Sequence, residues 1–244
     1  MAEAAVSAPV ADSKGPGLFA RIVGVVFSPR STYAAVAARP RALGVLLFTI
    51  VVVSASTSAF LATAPGQEAL RDQMDTQIRM VESLGVTVSD EAYARAEQGL
   101  DRAVYTTPIS QAVFIPILVA FMAVVLLVIF SMLMGGDATY KQVFAVVAHS
   151  GVITAIQVLF TMPLSYATAR FATANLGVFV PMLEESSYIA TFLSYIELFR
   201  LWGCINLAIG LGVLYKRRTG GIAMTLIGIY VVGAALFALL RSGS

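Results

Sequence analysis

The sequence predicts an all-α, polytopic membrane protein: a bundle of five transmembrane helices with a helical extramembrane insert between the first two. Three observations carry this. Hydrophobic residues make up 58% of the 244-residue chain and charged residues 12%, against roughly 45–50% and ~25% in soluble domains. The excess is gathered into runs long enough to cross a bilayer, for which ~20 apolar residues suffice. The two strongest runs, 109–134 and 143–161, flank one short polar connection, Gly135 to Lys141, as the arms of a helical hairpin.

Taken in order, residues 1–16 are Ala-rich and polar, with too little apolar surface to fold, and disorder is expected. A signal peptide is not expected, because the first long apolar run begins only after Arg41. Residues 17–41 read as amphipathic, interfacial cytoplasmic helices. Gly17 to Phe27 is short, apolar and basic, and suits the headgroup interface. Ser28-Pro29 is an N-cap followed by proline at the first helical position, and Arg39-Pro40 ends that helix.

The transmembrane domain is expected over 42–240. Its first span covers about 42–64 and ends at Pro65-Gly66. The insert, 67–107, reads as two helices. Leu70, Met74, Ile78 and Val81 recur at helical spacing, with Gly85 as C-cap. Ser89 caps the second helix, whose apolar stripe is Tyr93, Ala96, Leu100 and Val104. This pair is acidic, with eight Asp or Glu residues from Glu68 to Asp101 against Arg71, Arg79, Arg95 and Arg102. It reads as a solvated cap on the membrane domain or as a partner-binding surface.

The hairpin supplies spans at about 109–134, where Pro116 is a kink position, and 143–163, closed by Pro163. Tyr166 to Ser187, with a turn at Asn175-Leu176-Gly177, reads as an interfacial or partly re-entrant loop. The fourth span covers about 188–215 as one helix and the fifth 221–240. In the fifth, Gly221, Thr225, Gly228 and Ala235 form a small-residue stripe suited to close approach of a neighbour, inside the bundle or in a second protomer.

Basic residues set the orientation. With the N-terminus in the cytoplasm, Arg30, Arg39, Arg41, Lys141 and Lys216 to Arg218 fall inside. The acidic insert and the C-terminus then fall outside. The Ala, Val and Arg bias suits a bacterial gene, hence a bacterial cytoplasmic (inner) membrane.

Composition also narrows the chemistry. A net charge of +2 gives no nucleic-acid reading, and a single cysteine and a single histidine cannot build a multi-ligand metal or haem site. Walker A, HExxH and GxSxG patterns are missing, so no enzyme activity, cofactor or metal is expected. The informative polar residues lie in the apolar runs. Ser150, Thr154, Gln157 and Thr161 line one face of the third span, which lipid cannot satisfy. They read as packing contacts or as the lining of a polar path. His149 sits near the start of that helix, about 100° around from the stripe.

Glu197 and Arg200 lie three apart within the fourth span, where each charge at mid-bilayer costs at least ~2.5–3.5 kcal/mol. They pair with each other as a neutral structural unit, or they form a substrate or proton site. The same reasoning places the fourth span against the polar face of the third. Asn206, almost opposite Glu197 on the helix, reads as packing.

The chain resembles the Yip family of Ypt/Rab-interacting, five-span membrane proteins. The matching features are Phe27-Ser28-Pro29-Arg30 with Tyr33 before the first span, and Gly135-Gly136 through Tyr140-Lys141-Gln142-Val143-Phe144 before the third. Leu201-Trp202-Gly203 through Gly210 to Lys216-Arg217-Arg218 completes them. The long insert is more like the bacterial members. The resemblance implies the fold and topology, and it supplies no catalytic residues. Rab binding belongs to eukaryotic vesicle traffic and is not expected of a bacterial member. The expected function is a non-enzymatic interaction or membrane-organising module, in contact with membrane lipids and with a protein partner or a second copy. The rival is a small transporter, channel or lipid-handling protein using Glu197, Arg200 and Gln157.

Overall fold

The computed structural model describes residues 15–83, 85–184 and 187–242. The expected disordered tail lies outside them apart from Gly15 and Pro16. The described residues are helical, with no strand among them. Two short helices lead: α1 (Leu18–Phe27) and α2 (Pro29–Ala38). Ser28 holds the N-cap position of α2 with Pro29 first in the helix, as predicted, but its hydroxyl makes no capping bond.

The first long helix is α3 (Leu43–Leu61). The insert follows as α4 (Ala64–Ser83) and α5 (Asp90–Leu100). Proline and glycine at 65–66 do not close α3 from beyond its end. They lie in the first turn of α4, where proline's missing N–H costs nothing. Ser89 caps α5 by accepting from the Ala92 N–H, and Gly85 takes the left-handed backbone expected of a C-cap, with φ +82°. The predicted stripe of α4 is only half-buried. The buried residues are Gly66 and Ala69, at the end that meets α3, while Met80 and Val81 are exposed.

Next come α6 (Ala103–Leu127), extended by a wider, π-helical turn at Val128–Leu133, then α7 (Tyr140–Ser150) and α8 (Val152–Thr168). The last two are nearly continuous across Gly151. Pro163 was expected to end this span; it lies inside α8 instead. A proline inside a membrane helix frees one carbonyl and is tolerated there. The helix stops at Ala169, which has a left-handed backbone, and the Ser165 hydroxyl accepts from the Ala172 N–H at 2.9 Å to close the turn.

The fourth segment differs from expectation. It is two helices, α9 (Tyr188–Tyr195) and α10 (Leu198–Leu214), separated by extended backbone at Ile196 and Glu197. The last helix is α11 (Thr219–Ser242). Among the described residues, four helices are long and apolar enough to cross a membrane: Leu43–Leu61, Ala103–Met132, Tyr140–Thr168 and Thr219–Arg241. α10, with 17 residues, is about 25 Å long by the 1.5 Å rise per residue, short of the ~30 Å hydrocarbon core.

The packing centre is α7. One face, Val143, Val146 and Val147, joins Tyr33 of α2, Leu126 of α6, Phe130 of the π-helical turn, and Ala208 and Leu211 of α10. The other, Ala145 and Ala148, joins Val25, Val36, Val45 and Leu46 around α1 to α3. A capping box starts α7. The Gln142 N–H donates to the Thr139 hydroxyl and the Thr139 N–H to Gln142 Oε1. The Gln142 amide also donates to the Ala37 carbonyl at 3.0 Å and so ties α2 to the same end. Gly210 is the point of closest approach on α10, since a Cβ there would lie 2.6 Å from Val146 Cγ1 and 3.0 Å from the Tyr33 ring.

α1 and α2 are therefore built into the bundle. Val25, Tyr33 and Val36 are fully buried, while Phe19 and Phe27 project outward. Asn206, in the middle of α10, donates to the Val25 carbonyl at 2.8 Å and accepts from the Tyr33 hydroxyl. Burial pushes the Tyr33 phenol well above the usual tyrosine range, which keeps it a donor. Large apolar side chains cover the outer faces of α6 and α11: Phe114, Ile117 and Phe121 on one, Met224, Ile229 and Phe237 on the other. Soluble monomers rarely expose such continuous apolar surface, so these faces meet lipid. The small-residue stripe of α11 is turned outward too: Gly221, Thr225 and Gly228 are exposed.

Candidate functional site

Two polar clusters stand out from the apolar bundle, one at the break between α9 and α10, the other where α1 meets α7. At the break, a helix has given up some of its own hydrogen bonds, and several of the freed backbone groups have other partners. The Leu176 N–H donates to the Ile196 carbonyl and the Leu198 N–H to the Ala174 carbonyl, both at 2.9 Å. Residues 174–176 thus lie antiparallel to 196–198. The Glu197 N–H donates to the Tyr230 hydroxyl at 2.8 Å, and that hydroxyl donates to the Tyr195 carbonyl at 2.5 Å. One phenol from α11 thus bridges the gap in the ladder. Irregular backbone survives at membrane depth only when it is satisfied in this way.

Glu197 occupies the N-cap position of α10, where a carboxylate favours the positive end of the helix dipole. Its side chain is 9% exposed and accepts from Arg200 Nε at 2.8 Å and from the Gln157 amide at 3.0 Å, both on Oε2. Glu197 and Arg200 pair with each other, which is one of the two arrangements expected, but at a helix start rather than mid-helix. Arg200 remains 64% exposed at its side chain, so the pair is a half-open one. Screening by solvent or headgroups limits its strength to about 1 kcal/mol.

The polar face of the third span is divided among different neighbours. Gln157 meets Glu197 of α10, as expected of adjacent spans. Thr161 is buried and accepts from the Ser165 hydroxyl through its carbonyl. Ser150 bonds back to the Val147 carbonyl at 2.7 Å. Thr154 is exposed and lines an outward groove of about 440 Å³ with Thr106, Ser110 and Gln111. The stripe is therefore not one continuous lining.

His149 belongs to the second cluster. It is fully buried, with Nδ1–H donating to the Ala145 carbonyl at 2.7 Å. A carbonyl can only accept, which leaves Nε2 as the acceptor facing Arg21 Nη1 at 3.4 Å. Arg21 also donates to the Arg41 carbonyl at 2.7 Å. Both ring nitrogens are thus used in one tautomer, which is a structural role. His149 and Gln157 lie eight residues apart along α7 and α8, roughly 12 Å by helical rise, so the two clusters are distinct.

The charges divide by end. Arg21, Arg39 and Arg41 line one groove, and Arg30 with Lys216, Arg217 and Arg218 lines another. Arg217 reaches across to the Met134 carbonyl at 2.7 Å, which brings the turn after α10 beside the turn after α6. Gly135 there has φ +69°, and a Cβ on Gly136 would lie 2.5 Å from the Tyr215 ring. The two glycines thus serve one turn for different reasons. At the far end, Asp72 of α4 pairs with Arg170 at 3.4 Å.

The Yip1 domain family matches residues 23–240, from within α1 to near the end of α11. The chain belongs to the Yip1 domain family. Comparison with curated proteins and with solved structures gave no match. The matched span takes in α2, so the Yip1 domain includes the layer that holds Asn206. Sequence reasoning missed Tyr230, the residue that makes the break possible. Its signal was a lone phenol among the aliphatic residues of α11, since buried tyrosine hydroxyls usually find a partner. Asn175 was read only as a turn; it also pairs antiparallel with Glu197.

Proposed function

We propose that this Yip1 domain protein is a non-enzymatic membrane-organising module of a bacterial cytoplasmic membrane. Its basic end works in the cytoplasmic leaflet. One observation carries the reading: the separation of charge between the two ends. Arg21, Arg30, Arg39, Arg41 and Lys216 to Arg218 gather around the α1, α2 and α10–α11 turns, while the acidic α4–α5 pair stands at the other. In this reading α9 and α10 together make the fourth of five crossings. The N-terminus is then cytoplasmic, and the α4–α5 insert and C-terminus lie outside. Lipids contact the outer faces of α6 and α11, and a protein partner or second copy meets the basic layer with its outward Phe19 and Phe27.

The Glu197–Arg200 pair supports a structural rather than a transport role, since its carboxylate is committed to Arg200 and Gln157, and His149 lies elsewhere. The test has two parts. A topology reporter fused after Ser244 is expected to score as non-cytoplasmic, and purified protein in vesicles is expected to pass neither protons nor small solutes. A cytoplasmic reporter would overturn the orientation. A flux abolished by Glu197→Gln in a variant with unchanged melting temperature would overturn the non-transport reading.

A further inference from the structure

Within the basic end, the turn between α10 and α11 forms, with α2, a groove with a narrower task than the membrane-organising reading gives it. Arg30, Lys216, Arg217 and Arg218 converge on one groove of about 540 Å³, whose other lining residues are Gly212, Val213, Thr219 and Gly220. Among the described residues, no acidic one lines it. All four basic residues are exposed, and Arg30, Lys216 and Arg218 have no ion pair or side-chain hydrogen bond among the described residues. Like charges repel, so cations drawn from two distant parts of the chain gather here at a cost unless an anion joins them.

The groove also has a fixed shape. The Arg217 N–H donates to the Gly212 carbonyl at 2.9 Å, and the Arg217 side chain is anchored on Met134. Lys216 holds a left-handed backbone, φ +52°, which a lysine rarely adopts and which surrounding contacts must maintain. A Cβ on Gly212 would lie 2.8 Å from the Thr219 hydroxyl, so that glycine lets the turn fold back onto α10. The groove lies where α10 ends and α11 begins. Below it the exposed face of α11 runs on through Met224, Ile229 and Val232.

We propose that this groove binds the phosphodiester of an anionic lipid headgroup, with the acyl chains lying along the exposed face of α11. Arg30 and Arg218 supply planar, multidentate donors to the phosphate oxygens, and Lys216 adds a point charge. A free phosphate ion offers the same oxygens without the chains. The adjoining apolar face of α11 is the reason to assign a lipid. The inference rests on placing this end at a leaflet surface, although lipid binding in detergent does not depend on which leaflet that is.

The experiment is native mass spectrometry of the full chain in detergent, titrated with phosphatidylglycerol, with phosphatidylcholine and with inorganic phosphate. One phosphatidylglycerol is expected to be retained per chain, at least ten-fold more tightly than phosphatidylcholine. Arg30→Gln and Arg218→Gln are each expected to weaken it about five-fold, the usual worth of one basic residue at an anionic surface. Arg79→Gln, on the far α4, is expected to change nothing and controls for total charge. Equal loss in Arg79→Gln and Arg30→Gln, or no preference over phosphatidylcholine, would overturn the site. Displacement of the lipid by an equal concentration of inorganic phosphate would overturn the lipid assignment. Selective binding in detergent, together with a cytoplasmic reporter after Ser244, would leave the site standing and overturn only the orientation.

Discussion

Replacing Tyr230 with phenylalanine removes one oxygen and leaves every carbon in place. That oxygen serves two backbone groups, the Glu197 N–H at 2.8 Å and the Tyr195 carbonyl at 2.5 Å. Each buried group left without a partner costs about 1–3 kcal/mol, which sets an upper bound of about 6. Two effects lower it. The Tyr195 carbonyl ends a helix and can turn toward another donor, and hydrogen bonds in membrane proteins average only about 0.6 kcal/mol by double-mutant cycles. The other rungs of the break, Leu176 to Ile196 and Leu198 to Ala174, stay intact. The expected cost is about 1–2 kcal/mol. For a chain of this length that is a melting shift of about 2–8 °C. The assay is thermal unfolding in detergent micelles, with amide hydrogen exchange followed on the peptide containing Glu197. Tyr188→Phe, whose hydroxyl has no bond among the described residues, is the control and should shift by less than about 1 °C. If Tyr230→Phe melts like the control and the Glu197 amide exchanges no faster, the phenol does not hold the break.

Gly210→Ala should destabilise by about 1–3 kcal/mol, because Val146 is β-branched and buried and cannot yield to a Cβ placed 2.6 Å away; Gly228→Ala, with open space around it, should be neutral or slightly stabilising in the same melting assay. Tyr33→Phe should cost about 1–3 kcal/mol by leaving Asn206 Oδ1 unpaired in the core. Chemical unfolding should show the loss, and Asn206→Leu added to it should cost less than the sum of the two single changes. Arg200→Leu should cost about 1 kcal/mol, more than Glu197→Gln, because it strands a buried carboxylate while the amide of Gln still serves Gln157 and Arg200; equal melting temperatures for the two variants would contradict this.

The long helices were legible because the signal for them is local. Apolar runs of sufficient length, the Ser89 cap and Gly85 with its positive φ are read from neighbouring residues. The Glu197–Arg200 pair was legible for the same reason, being three residues apart. The break beside it was not. Residues 188–215 have the same composition whether they form one helix or two, and the groups that stabilise two, Ala174 and Tyr230, are contributed from elsewhere in the chain. Pro163 was misread by a rule for water, where the freed carbonyl and the ring clash end a helix; in a membrane neighbouring groups compensate. The amphipathic character of residues 17–27 predicted a helix, and α1 forms there. It could not reveal that Val25 also contacts Asn206, because nothing local records a partner in α10.

The Tyr33–Asn206 contact between α2 and α10 fixes an order of events in the life of the chain. Tyr33 and Asn206 are 173 residues apart, and at about 5–20 residues per second a ribosome needs about 10–35 s to produce the second after the first. Through that interval α3 and α7 are made and can cover Val25, Tyr33 and Val36, but the Tyr33 hydroxyl and the Val25 carbonyl still lack the Asn206 side chain that joins them. The apolar side of the N-terminal layer can thus be packed early, while its polar seam closes only when α10 arrives.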